Sequence, residues 1–218
     1  MHNDRFHRLF PIAGILSALL LGAAILVPGS VPQVEKSNHA EVVSFYHDHA
    51  TSIMVANIPL ALLSAFFLAA LLVELRATLR SGEAGESTYS SMVAFGGTLL
   101  VMGIAVMGMV TAAAAGAAEA GLSDDSLLTA AIVADYAWMP WLVGSALTLL
   151  ATGIGGLRTA TLPKWIAWVS VVMGGLCLTG VGGILVFMLM PLWILAISVV
   201  LLRRQMAETT GAADPLTA

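Results

Sequence analysis

Five residues between the first two apolar segments carry the donor atoms of a metal site: His39, Glu41, His47, Asp48 and His49. Imidazole and carboxylate together suit a first-row divalent ion, but only where the side chains converge. The segment Ser37 to His49 reads as a short helix with Val42, Phe45, Tyr46 and His49 along one stripe. On a helix, residues two apart point about 200° from each other, so His47 and His49 cannot grip one ion. No His pair has the i,i+4 spacing that would. An extended segment would put both on one face and restore the site. Metal binding, a pH-sensitive surface and plain anchoring all stay open, and the helical pattern favours anchoring. It predicts a short amphipathic helix lying flat on the outer membrane surface, with no metal.

Asp135 is the one acidic residue inside the apolar stretch from Leu127 to Leu157. A carboxylate at the bilayer centre costs about 3 kcal/mol on insertion scales, so an acid at that depth marks a functional site. Tyr136, Trp138 and Trp141 beside it match an aromatic belt, which moves Asp135 toward the outer headgroups and removes most of that cost. Asn57, Thr111 and Thr179 fall at the same depth in the outer third. Asp135 is then either an interfacial acid or, with Asn57, Thr111 and Thr179, part of a polar vestibule open to the outside.

Other chemistry is excluded by spacing or by count. Met107-x-Met109 and Met188-x-Met190 carry thioethers, but spacing two puts each pair on opposite helix faces, which is packing and not Cu(I) chelation. No His lies within an apolar span, so a haem held by two His between helices lacks its ligands. Neither a His-Glu-x-x-His helix, a Gly-x-Ser-x-Gly elbow nor a phosphate loop occurs. Cys177 is the only cysteine, so an intrachain disulfide is impossible. The chain reads as non-enzymatic and without a cofactor.

The elements that hold these residues are membrane spans. Thirty-eight residues from Trp165 to Leu202 carry no charged side chain. One helix of that length would run roughly 57 Å against a hydrocarbon core of about 30 Å. The stretch therefore crosses twice and turns near Thr179 to Gly183, where three glycines fall within four residues. Hydrophobic residues make up 59% of the 218 and charged residues 10%, which excludes a soluble core. The net charge of -4 is spread by loop and forms no basic patch, so nucleic acid is not a partner.

Six spans follow: Leu9–Val27, Ile53–Val73, Met92–Ala114, Trp138–Gly156, Trp165–Leu178 and Gly183–Leu202. They form one transmembrane domain over residues 1–204, an all-α six-helix bundle, and residues 205–218 read as a disordered tail. Arg5, Arg8, Arg76, Arg80, Arg158, Lys164, Arg203 and Arg204 then share one side, leaving Lys36 on the other. The positive-inside rule puts both termini in the cytoplasm, while five spans would send Arg203 and Arg204 outside. The first span could also be a signal peptide. Its run of about 19 residues is long for that, and no clean cleavage site follows, so it reads as retained.

Lipid tails are as apolar as Leu, so helices associate through close backbone approach. Gly14, Ala18 and Gly22 line one face, Gly108, Ala112 and Gly116 a second, and Gly144, Thr148, Thr152 and Gly156 a third. These faces pack within the monomer or serve as a seam to a second copy or another membrane protein. Pro59, Pro140 and Pro191 lie inside spans and predict kinks.

Three passages together resemble a group of uncharacterised six-helix inner-membrane proteins of high-GC bacteria. They are Phe45-Tyr46-His47-Asp48-His49, Leu162-Pro163-Lys164-Trp165-Ile166-Ala167-Trp168, and Pro191-Leu192-Trp193 leading into Val199-Val200-Leu201-Leu202-Arg203-Arg204. The resemblance implies a fold and a cytoplasmic-membrane location, with no activity or site residue attached. Two functions remain. The scarcity of buried polar groups favours an accessory or interaction component of the membrane. The kinked helices and outer polar cluster favour a small-molecule or ion transporter, although the halves show no convincing repeat.

Overall fold

A backbone that enters lipid must satisfy its own hydrogen bonds, and this chain does so with helices. The computed structural model describes residues 9–211 apart from 30 and 33. Among the described residues the elements are α1 (Leu9–Leu26), α2 (His39–Val55), a π-helical turn (Ala56–Leu60), α3 (Ala61–Gly82), α4 (Thr88–Glu119), α5 (Asp124–Tyr136), α6 (Met139–Thr159), α7 (Lys164–Cys177) and α8 (Val181–Gly211). Five helical stretches are long and apolar enough to cross a membrane, and α7, at 14 residues, is shorter. The expected turn after the fifth span sits at Leu178 to Gly180, where Gly180 takes φ +70°.

Of the helices that are far longer than a bilayer needs, two overhang the bundle together at one end. From His39 to Gly82 the chain is one continuous helical stretch of 44 residues, about 66 Å, and α4 runs for 32 residues, about 48 Å. Their overhanging ends pack with α5 into a cap that has its own core of Val42, Tyr46, Ala50, Ile53, Ala114, Ala115, Ala118, Leu127 and Ala131. This corrects the expectation of a separate helix lying flat on the membrane. Val42 and Tyr46, half of the supposed lipid-facing stripe, are 0% and 1% exposed and face the alanines of α4. Those alanines let α2 approach α4 and bury the stripe in protein.

Glycine faces do the work of assembly. A Cβ on Gly144 would collide with the Leu100 backbone nitrogen, and one on Gly103 with the Trp141 backbone. On Gly96 it would stand 2.8 Å from the Thr148 nitrogen, so α4 and α6 touch nearly backbone to backbone. Farther along α6, a Cβ on Gly153 would lie 2.6 Å from the Ala167 carbonyl oxygen, and one on Gly174 2.9 Å from the Leu150 nitrogen, which seats α7. Gly14, Gly108 and Gly156 likewise meet neighbours inside the monomer, while Gly116 meets nothing within 4 Å.

Polar clasps lock the remaining pairs. The Ser17 hydroxyl donates to the Ser64 carbonyl at 2.9 Å and the Ser64 hydroxyl donates to the Ser17 carbonyl at 3.0 Å, joining α1 to α3. Trp193 donates its indole N–H to Ser170 Oγ at 2.8 Å, joining α8 to α7. Where no water competes, each such bond adds on the order of 1 kcal/mol.

Charges sort to two poles. The Arg158 guanidinium lies 5.8 Å from the Tyr89 ring centroid, Arg204 donates to the Thr161 carbonyl at 3.1 Å, and Gln205 donates to Glu74 at 3.0 Å. These contacts gather the ends of α3, α6 and α8 with the start of α4. Arg5 and Arg8 lie outside the described residues. The tail expected to be disordered from residue 205 is helical through Gly211, because α8 continues past the apolar run to reach Glu74. Residues 212–218 lie outside the described residues.

Glu83 fastens the start of α4. Its Oε1 accepts the backbone N–H groups of Tyr89 and Ser90 at 2.6 and 3.1 Å, and its Oε2 accepts the Ser90 hydroxyl at 2.6 Å. Ser87, at the N-cap position, makes no side-chain capping bond, so Glu83 supplies it from four residues upstream. Burial alone would raise the Glu83 pKa. The bonds from Ser90 and Tyr89, with the Arg80 charge, outweigh it and lower the pKa below the usual carboxylate value.

Two outcomes follow from these contacts. Gly144→Ala must part α4 from α6 and should cost about 2 kcal/mol, the usual range for overpacking, whereas Gly116→Ala should cost nothing. Thermal melting in detergent, followed by circular dichroism, compares them. Because the Glu83 pKa is depressed in the folded state, its contribution is fully present above the unfolded value of about 4.3 and is lost as pH falls through the folded value. The melting temperature should drop over that acid window in the wild type. Glu83→Gln should start lower at neutral pH and show a flatter response.

Candidate functional site

Above the α4–α6 seam the bundle stops being solid. A cavity of about 610 Å³ opens between α1, the π turn, α4, the α5–α6 junction and α8. That volume falls within the range of small-molecule pockets. Its floor is Trp141, 0% exposed, whose ring meets Phe187 edge to face with centroids 5.1 Å apart. Below it the core is filled by Leu68, Leu71, Leu75, Leu100 and Leu149, all fully buried. On the Trp141 side the cavity therefore ends against packed side chains.

The π turn shapes one wall. Pro59 has no N–H to give a helix, and the Ala61 N–H reaches back five residues to the Ala56 carbonyl instead of four. The extra residue turns Asn57 toward the chamber, where its Nδ2 donates to the Ile53 carbonyl at 2.8 Å. Opposite stands Gly108. A Cβ there would lie 2.9 Å from the Asn57 carbonyl oxygen, so only glycine lets α4 close against the widened turn.

Asp135 sits where one long apolar stretch divides into α5 and α6. The break comes one residue after Tyr136, because Trp138 and Pro140 begin a new helix with proline in its first turn. Asp135 Oδ2 accepts the Val34 backbone N–H at 2.9 Å, and the neighbouring Tyr136 hydroxyl donates to Glu35. Two adjacent bonds thus strap the α1–α2 linker across the chamber, and Pro28, Gly29 and Val31 of that linker form its roof. Tyr46, seven residues before the apolar run that starts at Ile53, reaches in from the cap. Burial, and then the Asp135 charge, push its hydroxyl up to about 12.

Of the four residues expected to form a vestibule, Asn57, Thr111 and Asp135 line this one chamber. Thr179 does not. It sits in the α7–α8 turn, exposed, donating to the Leu176 carbonyl and accepting the Gly182 N–H. A threonine in a glycine-rich turn satisfies the turn's own backbone, which depth alone did not reveal. Tyr46, Trp138, Trp141 and Phe187 were not expected as lining, although the aromatic belt around Trp138 and Trp141 was a usable signal. Leu26, Ile184 and Met188 line the chamber and are each more than half exposed.

The outer histidines take separate paths. The His49 ring stacks on Phe45 at 4.4 Å, and its Nδ1 lies 3.1 Å from the Phe45 carbonyl oxygen. Among the described residues, no three His, Cys, Asp or Glu side chains converge as a metal site would require. On α6, Trp141 Nε1, Ser145 Oγ, Thr148 Oγ1 and Thr152 Oγ1 are buried without a partner among the described residues. They fall at spacings of four, three and four, one face of the helix.

No family model, curated protein or solved structure matches the chain. The fold defines its class: an all-helical protein with five helices long and apolar enough to cross a membrane. Beyond that, the chamber and its strap are what distinguish it.

Asp135→Ala removes the acceptor for Val34 and should free the strap, at a cost of about 1–3 kcal/mol for the orphaned N–H. Hydrogen exchange at the Val34 amide should accelerate in Asp135→Ala and stay near wild type in Asp135→Asn, which keeps an acceptor oxygen.

Proposed function

We propose that this is a non-enzymatic six-pass protein of the cytoplasmic membrane, with both termini inside, that binds a small molecule in its outer chamber as part of a transport or sensing task. The observation that carries the reading is one chamber lined by Asn57, Thr111 and Asp135, mostly apolar otherwise, above a tightly packed base. Convergent polar groups in an apolar pocket between helices are the usual makings of a ligand site. A base packed by leucine favours binding from one side at a time over free conduction.

The orientation is supported by charge. Arg76, Arg80, Arg158, Lys164, Arg203 and Arg204 belong to the pole away from the chamber, as the positive-inside rule asks of a cytoplasmic face. Six passes require α7 to count as a span, and its bond to α8 through Ser170 and Trp193 supports an antiparallel pair. Such a layout accords with the six-helix inner-membrane proteins that the motifs resemble. The competing role, an accessory component acting through helix contacts, loses support because most small-residue faces are consumed within the monomer.

Single cysteines at Asn57, Thr111 and Asp135 in a Cys177→Ser background provide the test. A membrane-impermeant maleimide added to whole cells should label all three, and a buried control at Leu71 should stay unlabelled. Labelling only after the cytoplasmic face is exposed would overturn the orientation. Absence of labelling from either side would overturn the chamber.

A further inference from the structure

We infer that the ligand of the chamber is an amphipathic organic cation, a positively charged amine, ammonium or phosphonium centre carried on an apolar body. This rests on the ligand-binding reading above and specifies the chemistry of that site. Asp135 is the only charged side chain among the described residues lining the chamber. One of its carboxylate oxygens accepts the Val34 N–H, and the other has no hydrogen-bond partner among the described residues. A neutral guest would leave that oxygen unpaired, and an anion would be repelled by it.

The rest of the lining suits the same guest. Tyr46, Trp138, Trp141 and Phe187 contribute aromatic rings, whose faces attract cations, most strongly where water is excluded. Leu21 and Met188 supply the apolar surface for a body too large to be a metal ion or a proton carrier. A bare divalent cation is disfavoured, since among the described residues no three His, Cys, Asp or Glu side chains gather to hold one. The approach is charged in the matching sense. Glu35, Glu41, Asp48, Glu119, Asp124 and Asp125 belong to the linker and to the helices of the cap, against Lys36 alone. Such an excess of acid at one end of the protein raises the local concentration of cations there.

Binding of tetraphenylphosphonium to the full chain in lipid nanodiscs, by equilibrium dialysis against empty nanodiscs, tests the assignment. Neutral triphenylphosphine oxide and the anion tetraphenylborate serve as comparison probes. The wild type should bind the phosphonium most tightly. Asp135→Asn, which keeps the bond to Val34, should weaken it by about tenfold or more and leave the neutral probe unchanged. Trp138→Leu, which keeps the carboxylate, should weaken the phosphonium by a few-fold and the neutral probe less. Raising ionic strength should weaken phosphonium binding in every form that retains Asp135 and the acidic linker and cap.

Equal binding of cation and neutral probe, or of cation by wild type and Asp135→Asn, would overturn the cation assignment while leaving the chamber intact. Preference for the borate would also overturn it. Failure of every probe to bind the wild type would remove the ligand-binding reading itself. Should Asp135→Asn not yield folded protein, the wild-type ranking of the three probes and the Trp138→Leu ratio decide the question.

Discussion

Everything in this molecule is hung on the contact between α4 and α6. In lipid no water is waiting to be released when two helices meet, so association rests on how closely backbones approach. Gly96, Gly103 and Gly144 bring these two nearly into backbone contact over their shared length. That contact sets Trp141 at a definite height and makes it the chamber floor. It also fixes the direction in which α4 overshoots, and so where the cap stands. α7 then packs on α6 through Gly153 and Gly174, and α3 on α4 through Leu72 against Gly97. The bundle grows outward from one seam.

The chamber exists because that growth is interrupted in three places. The π turn widens the α2–α3 helix, the α5–α6 junction ends one helix and begins another, and α1 finishes at Leu26 before the cap begins. Each break is small. Together they leave a volume that the side chains around it do not fill. The strap formed by Val34 and Glu35 on Asp135 and Tyr136 then crosses the top, so Asp135 both holds the strap and lines the cavity.

Much of this was readable beforehand, and the limits have physical causes. Apolar runs longer than one crossing located the long apolar helices, and Asn57, Thr111 and Asp135 met because they stand at similar heights on neighbouring helices. Thr179 was expected at the same depth but does not line the cavity, since a residue in a turn bonds its own backbone first. The cap was misread for a related reason. Val42, Phe45, Tyr46 and His49 form an apolar stripe, and a stripe reports that something apolar covers it, not whether lipid or protein does. The cover turned out to be the run of alanines at the end of α4, residues too small to announce a partner. The glycine faces of the first and fourth spans were legible as seams. Gly96 and Gly103, the other half of the principal seam, drew no notice because a pairing between two helices is not written in either one.

The π turn has a consequence of its own. Successive residues of a helix advance by about 100°, so one additional residue in a turn rotates all that precedes it by that amount. Without the insertion around Pro59, α2 would emerge from the bundle rotated by about 100°, with Tyr46 and Val42 swung away from α4. The cap would then have no apolar underside to seat on. A single-residue phase shift, tolerated because Gly108 leaves it room, is what keeps the upper storey of the protein in register with the lower.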